Sequence, residues 1–111
     1  MGKKGARLTN QAQEASASIV QALSDLGTVS SRKMFGGYGI FKDKTMFALV
    51  TSDGIVFFKA DKSTIPLYEE EGSNKHGRMP YYELPDMISQ NQSKLLEWAN
   101  VAISIAEAGK K

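Results

Sequence analysis

Apolar residues recur at three- and four-residue steps from Leu8 through Ala12, Ala15, Ile19, Ala22 and Leu23 to Leu26. That spacing lines one side of a helix, expected over residues 9–26. Thr9 or Asn10 suits its N-cap, Glu14 lies toward the positive end of its dipole, and Gly27 follows as a left-handed C-cap. From Val29 the period shortens to two. Four runs rich in aromatic and β-branched residues, 29–35, 38–41, 46–51 and 55–59, read as strands. Lys42-Asp43-Lys44-Thr45 and Ser52-Asp53-Gly54 supply turn chemistry between them, and such short links make neighbours antiparallel.

Asp61 is placed to cap a short helix over about 62–71, although Pro66 belongs in a first turn and so delays or kinks it. Residues 73–80 read as a polar loop, 81–84 as a strand ended by Pro85, and 92–107 as a helix with Leu95, Leu96, Ala99, Ala102, Ile103 and Ala106 on one stripe. The expected fold class is α+β: N-terminal helix, antiparallel β-meander, short helix, strand and C-terminal helix, with helices covering one sheet face. The expected organisation is a flexible basic tail (1–8), one folded domain (9–108) and a short C-terminal tail (109–111).

Composition narrows the chemistry more than the fold. With no cysteine among 111 residues and a single histidine, disulfides, zinc ribbons, thiol nucleophiles and paired-imidazole sites are excluded. The net charge of +2 comes from the ends. Lys3, Lys4, Arg7, Lys110 and Lys111 set aside, nine cations face 12 anions between Leu8 and Gly109. The charge balance therefore argues weakly for a nucleic-acid groove. The N-terminal residues lack a secretory or myristoylation pattern and no stretch approaches a bilayer span, so a cytoplasmic protein without membrane contact is expected.

Candidate chemistry is sparse. Gly36, Gly37 and Gly39 do not complete a phosphate-loop or dinucleotide fingerprint and lie between strands, which favours a bulge or close backbone approach. Asn74-Lys75-His76-Gly77-Arg78 reads as a solvated loop, because nothing supplies His76 with a nucleophile or orienting group. Glu69, Glu70 and Glu71 point in different directions from a helix and cannot converge on one ion. No catalytic, cofactor-binding or metal-binding residue is assigned.

The aromatics are in surplus. Adjacent strand residues face opposite ways, so Phe57/Phe58 and Tyr81/Tyr82 cannot all lie beneath one helical layer. Either a helix or returning loop covers the second face, or that face meets a partner. The candidate partner-binding residues are Phe35, Tyr38, Phe41, Tyr81 and Tyr82. The weaker alternative is direct nucleic-acid binding through the basic tails and the 75–78 loop, with Arg32, Lys33, Lys75 and Arg78 as candidate contacts.

Arg-Lys-Met-Phe-Gly-Gly-Tyr-Gly-Ile-Phe (32–41), Met46-Phe47-Ala48-Leu49-Val50, Phe58-Lys59-Ala60-Asp61, Tyr81-Tyr82-Glu83-Leu84-Pro85 and Leu95-Leu96-Glu97-Trp98-Ala99 together resemble the N-terminal domain of the TfoX/Sxy competence regulators. The resemblance covers nearly the whole chain. It implies a bacterial cytoplasmic protein with a secretion-chaperone-like α+β fold and no enzymatic activity. It also implies a regulatory role in transcription of DNA-uptake genes, in which the full-length regulators work with the cyclic-AMP receptor protein. The expected partner is a protein of the transcription machinery or a second copy in a homodimer. The full regulators continue into a second helical domain where this chain stops at Lys111, so a stand-alone interaction half is expected.

Overall fold

A computed structural model of the chain describes the backbone of residues 3–34 and 36–109, and side chains within that span from residue 11 onward. Its elements follow the expected order. Helix α1 (Lys3–Ala22) leads into a single 3-10 turn, then strands β1 (Val29–Met34), β2 (Gly37–Lys42), β3 (Thr45–Val50) and β4 (Val56–Lys59). Helix α2 (Ile65–Glu70), strand β5 (Tyr81–Glu83), a one-turn helix α3 (Asp86–Ser89) and helix α4 (Gln92–Ala108) complete the chain. The five strands form one antiparallel sheet in sequence order, β1-β2-β3-β4-β5. The fold is α+β.

Three details depart from the sequence expectation. The helical backbone of α1 reaches back to Lys3, and its regular part stops at Ala22, with Ser24–Leu26 finishing as a 3-10 turn before Gly27 at φ 112°. Helix α2 starts later than residue 62, with Pro66 in its first turn as its fixed φ requires. Asp61 organises the turn before it instead: its carboxylate accepts from the Ser63 N–H (3.0 Å) and Ser63 hydroxyl (2.7 Å), while the Asp61 N–H donates to Thr64 Oγ1. The third is α3, which begins directly after Pro85 and had no periodic signal of its own.

Helices α1 and α4 lie on the same side of the sheet, α1 over β1–β3 and α4 over β3 and β4. Beneath them Leu23, Ile40, Phe47, Ala48, Val50, Phe58, Leu95 and Ala99 are almost completely enclosed. Phe47 and Phe58 meet edge to face at 6.0 Å. Tyr68 ties α2 into this core, stacking on Tyr82 at 5.7 Å and meeting Trp98 edge-on at 4.8 Å. Burial pushes its hydroxyl well above the usual phenol range, because an ionised ring there would lose its water. Asn91 caps α4 by accepting from the Lys94 N–H at 3.2 Å.

A β-bulge decides which aromatics enter that core. Ile40 pairs with Ala48 but Phe41 pairs with Met46, leaving Phe47 as the extra residue of β3. Strict alternation would have put Phe47 on the face opposite Ala48. The bulge turns Phe47 inward beside Ala48, and Met46 joins the cluster on the other face.

Candidate functional site

The sheet face away from α1 and α4 is the candidate site, and its two halves are built differently. Over β3, β4 and β5, Leu49, Phe57 and Tyr81 form a second buried cluster with Met46 and Ile55 packed against it. What covers it is the loop between α2 and β5. Its backbone zips onto β5: the His76 N–H donates to the Tyr81 carbonyl (2.9 Å), and the Glu83 N–H donates to that of Asn74 (2.9 Å). This register sets the His76 ring edge-on against Phe57 at 5.0 Å. The backbone of residues 74–76 is therefore docked on β5, while the side chains of Asn74, Lys75, Arg78 and Met79 stay exposed as a solvated loop would leave them. His76 is half-buried, and its Nδ1 is buried with no hydrogen-bond partner.

Over β1 and β2 the same face stays partly open. Here the three glycines of the 36–39 run each have a structural role. A Cβ on Gly37 would lie 2.0 Å from the Val50 carbonyl oxygen. A Cβ on Gly39 would lie 2.8 Å from Met34 Sδ and 3.1 Å from Met46 Sδ, so two thioethers converge over its bare backbone. Gly36, at φ 78°, closes the two-residue link between Met34 and Gly37. The expected close-approach role of these glycines thus has a concrete form, with Gly36 in a turn and Gly37 and Gly39 at contacts.

Between the open half and the loop lies a mainly apolar cavity of about 410 Å³, lined by Met34, Tyr38, Met46, Leu49, His76 and Met79 among others. Its volume falls in the range of ordinary ligand and anchor-residue pockets. Met79 is 41% exposed at its rim. Flexible thioethers let such a wall adjust to different occupants.

The candidate residues are dispersed across both faces. Phe41 is half-buried on the open face, with the exposed Arg32 guanidinium 5.2 Å from its ring centroid. Tyr38 is half-buried; it packs against the main core and borders the cavity. Tyr81 and Tyr82 are corrected as outward contacts. Tyr82 belongs to the core beneath the helices, and Tyr81 is enclosed on the outer face with Lys59 Nζ 5.5 Å from its ring, its hydroxyl pushed up by burial. Phe35 lies outside the described residues.

Among the basic candidates, Arg32 and Lys33 are consecutive on β1 and so project to opposite faces, while Lys75 and Arg78 are exposed on the docked loop. The basic side chains at both chain ends lie outside the described residues. Sequence reasoning missed Met34, Met46 and Met79. The available signal was methionine on either side of a glycine strand, which periodicity alone does not separate from core methionine. Among the described residues, no group of three or more His, Cys, Asp or Glu is placed to hold a metal ion. No described helix is long and apolar enough to cross a membrane.

The profile of the TfoX N-terminal domain matches residues 21–106, which includes all five strands and most of α4. Protein Sxy of Escherichia coli (strain K12) is 29% identical over 92 residues, covering 76% of this chain. The chain spans 44% of the length of that relative.

Proposed function

Because the chain belongs to the TfoX N-terminal domain family, we propose that it is a non-enzymatic regulatory module that works in the cytoplasm by contacting a protein of the transcription machinery. The contact surface is the open half of the outer sheet face. The observation that carries this reading is the methionine-walled cavity beside Phe41 and Tyr38, which leaves apolar surface half-covered where the rest of the sheet is closed. A wall of Met34, Met46 and Met79 suits an inserted side chain from a partner, because thioethers repack at low cost. The resemblance to competence regulators makes the cyclic-AMP receptor protein the partner to test first.

The experiment is biolayer interferometry of the chain against that receptor protein with cyclic AMP, comparing wild type with Met46→Asp. The expected result is saturable binding weakened at least about tenfold by the buried charge, with circular dichroism unchanged. Equal binding by both proteins, or none by either, contradicts the reading. Direct nucleic-acid contact through Arg32, Lys33, Lys75 and Arg78 is the alternative, and a salt titration separates the two. Phosphate contacts weaken steeply between low and physiological salt, whereas an apolar contact does not.

A further inference from the structure

The two edges of the sheet are finished in opposite ways. The β5 edge is occupied by the backbone of Asn74, Lys75 and His76, through an antiparallel bridge at Lys75 and Tyr82 and the bonds at Tyr81 and Glu83. The β1 edge is six residues long, exposed at Ser30, Ser31, Arg32 and Lys33, and its one strand partner among the described residues is β2. Among the described residues it has no proline, no bulge and no covering loop; the protection it carries is the charge of Arg32 and Lys33, which discourages pairing with a like-charged strand and leaves an acidic one free to add.

The direction of its free groups follows from the register. The Asp43 N–H donates to the Thr28 carbonyl at 2.9 Å, one step beyond the Val29–Lys42 pair. Bonded and non-bonded pairs alternate along an antiparallel ladder, so Ser30, Arg32 and Met34 direct their backbone groups to β2. Val29, Ser31 and Lys33 direct theirs outward. The edge therefore offers three N–H and three C=O groups in the correct spacing for another strand.

We propose that β1 accepts an extended, acidic segment of a partner protein as a sixth strand. Charge chooses the occupant. Arg32 and Lys33 flank the free groups on opposite faces, so an added strand answers both with two consecutive acidic residues, whose side chains also point to opposite faces. A second copy is disfavoured because antiparallel pairing about a two-fold axis would bring Arg32 and Lys33 of both chains to one seam with no acid facing them. The proposal shares the protein-contact reading above but uses a different surface, so each can fail alone.

The test is fluorescence anisotropy with a labelled Val-Thr-Glu-Glu-Thr-Val peptide against the whole chain. The Glu-Glu peptide is expected to bind at least about tenfold more tightly than its Lys-Lys counterpart, and the difference should shrink with added salt. Backbone N-methylation of the peptide should abolish binding. Ser31→Pro removes one outward N–H without touching the β2 ladder and should weaken binding about tenfold or more. Its folding is checked by thermal melting, and Ser31→Ala serves as a second variant that should bind like wild type. Equal binding of Glu-Glu and Lys-Lys peptides, or binding indifferent to Ser31→Pro in a folded variant, overturns the proposal. So does concentration-dependent dimerisation abolished by Ser31→Pro with no peptide binding, which would assign the edge to a second copy.

Discussion

On the inner face of the sheet, Ile40, Phe47, Ala48, Val50 and Phe58 lie beneath two long helices with almost no exposure. On the outer face, Leu49, Phe57 and Tyr81 are closed by one docked loop, and Met34, Phe41 and Met46 are only half-covered. Both faces are apolar, but only one is fully packed. Burial of apolar area explains why the inner face exists at all, since it supplies most of the folding free energy. It does not explain why methionine and phenylalanine remain at an open surface on the other. A contact surface does, and the contrast between the faces is the physical basis for the functional proposal.

The contrast can be broken by substitution. Phe58→Ala, at a fully enclosed position against Phe47, should destabilise the chain by about 3–5 kcal/mol in chemical denaturation, whereas Phe41→Ala on the half-open face should cost about 1 kcal/mol. Similar losses at both sites would mean that the outer face is packed as tightly as the inner.

The glycines give the next largest effect. Gly37→Ala drives a Cβ toward a backbone oxygen of β3, which can yield only if the strands part, and should cost about 2–4 kcal/mol. Gly39→Ala meets the ends of Met34 and Met46, which can swing aside, and should cost about 1 kcal/mol. Equal costs would show that the thioethers are held rigidly.

The smallest effect lies away from both faces and serves as a baseline. Hydrogen bonds from Ser63 and Thr64 hold the Asp61 carboxyl below the ordinary aspartate value of 3.8. The folded state therefore favours the carboxylate. Its contribution is present above 3.8, where the unfolded chain is also ionised, and is lost as the pH falls through the lower folded value. Thermal melts of Asp61→Asn and wild type should differ slightly at neutral pH and converge in acid. A difference that persists in acid would show that the turn is held by something other than the carboxylate.

Much of this architecture was legible in the sequence because it depends on local period and turn chemistry. The apolar stripes of α1 and α4, the Asp53-Gly54 turn and the antiparallel order of β1–β4 all follow from spacing between near neighbours. The excess of aromatics over one helical layer was also legible, and the returning loop is one of the two solutions it allowed. What escaped depends on contacts between distant residues. Strict alternation misplaces Phe47, because a one-residue bulge is set by the fit of β3 against β2 and the helices. The docking of His76 on Phe57 requires a loop to return across the sheet, and polar composition gives no hint of that. Alternation says that Tyr81 and Tyr82 face opposite ways but not which one faces inward, and the register of β5 on β4 makes Tyr82 the inner member of the pair. The cavity escaped for the same reason: Met34, Met46 and Met79 meet only after three separate segments fold together.

The most direct measurement is a methyl NMR titration of methionine-labelled chain with the cyclic-AMP receptor protein. The account predicts saturable shifts of the Met34, Met46 and Met79 methyl signals while Met87, 66% exposed on α3, stays unmoved as an internal control. Shifts confined to Met87, or uniform silence across all four, would contradict it.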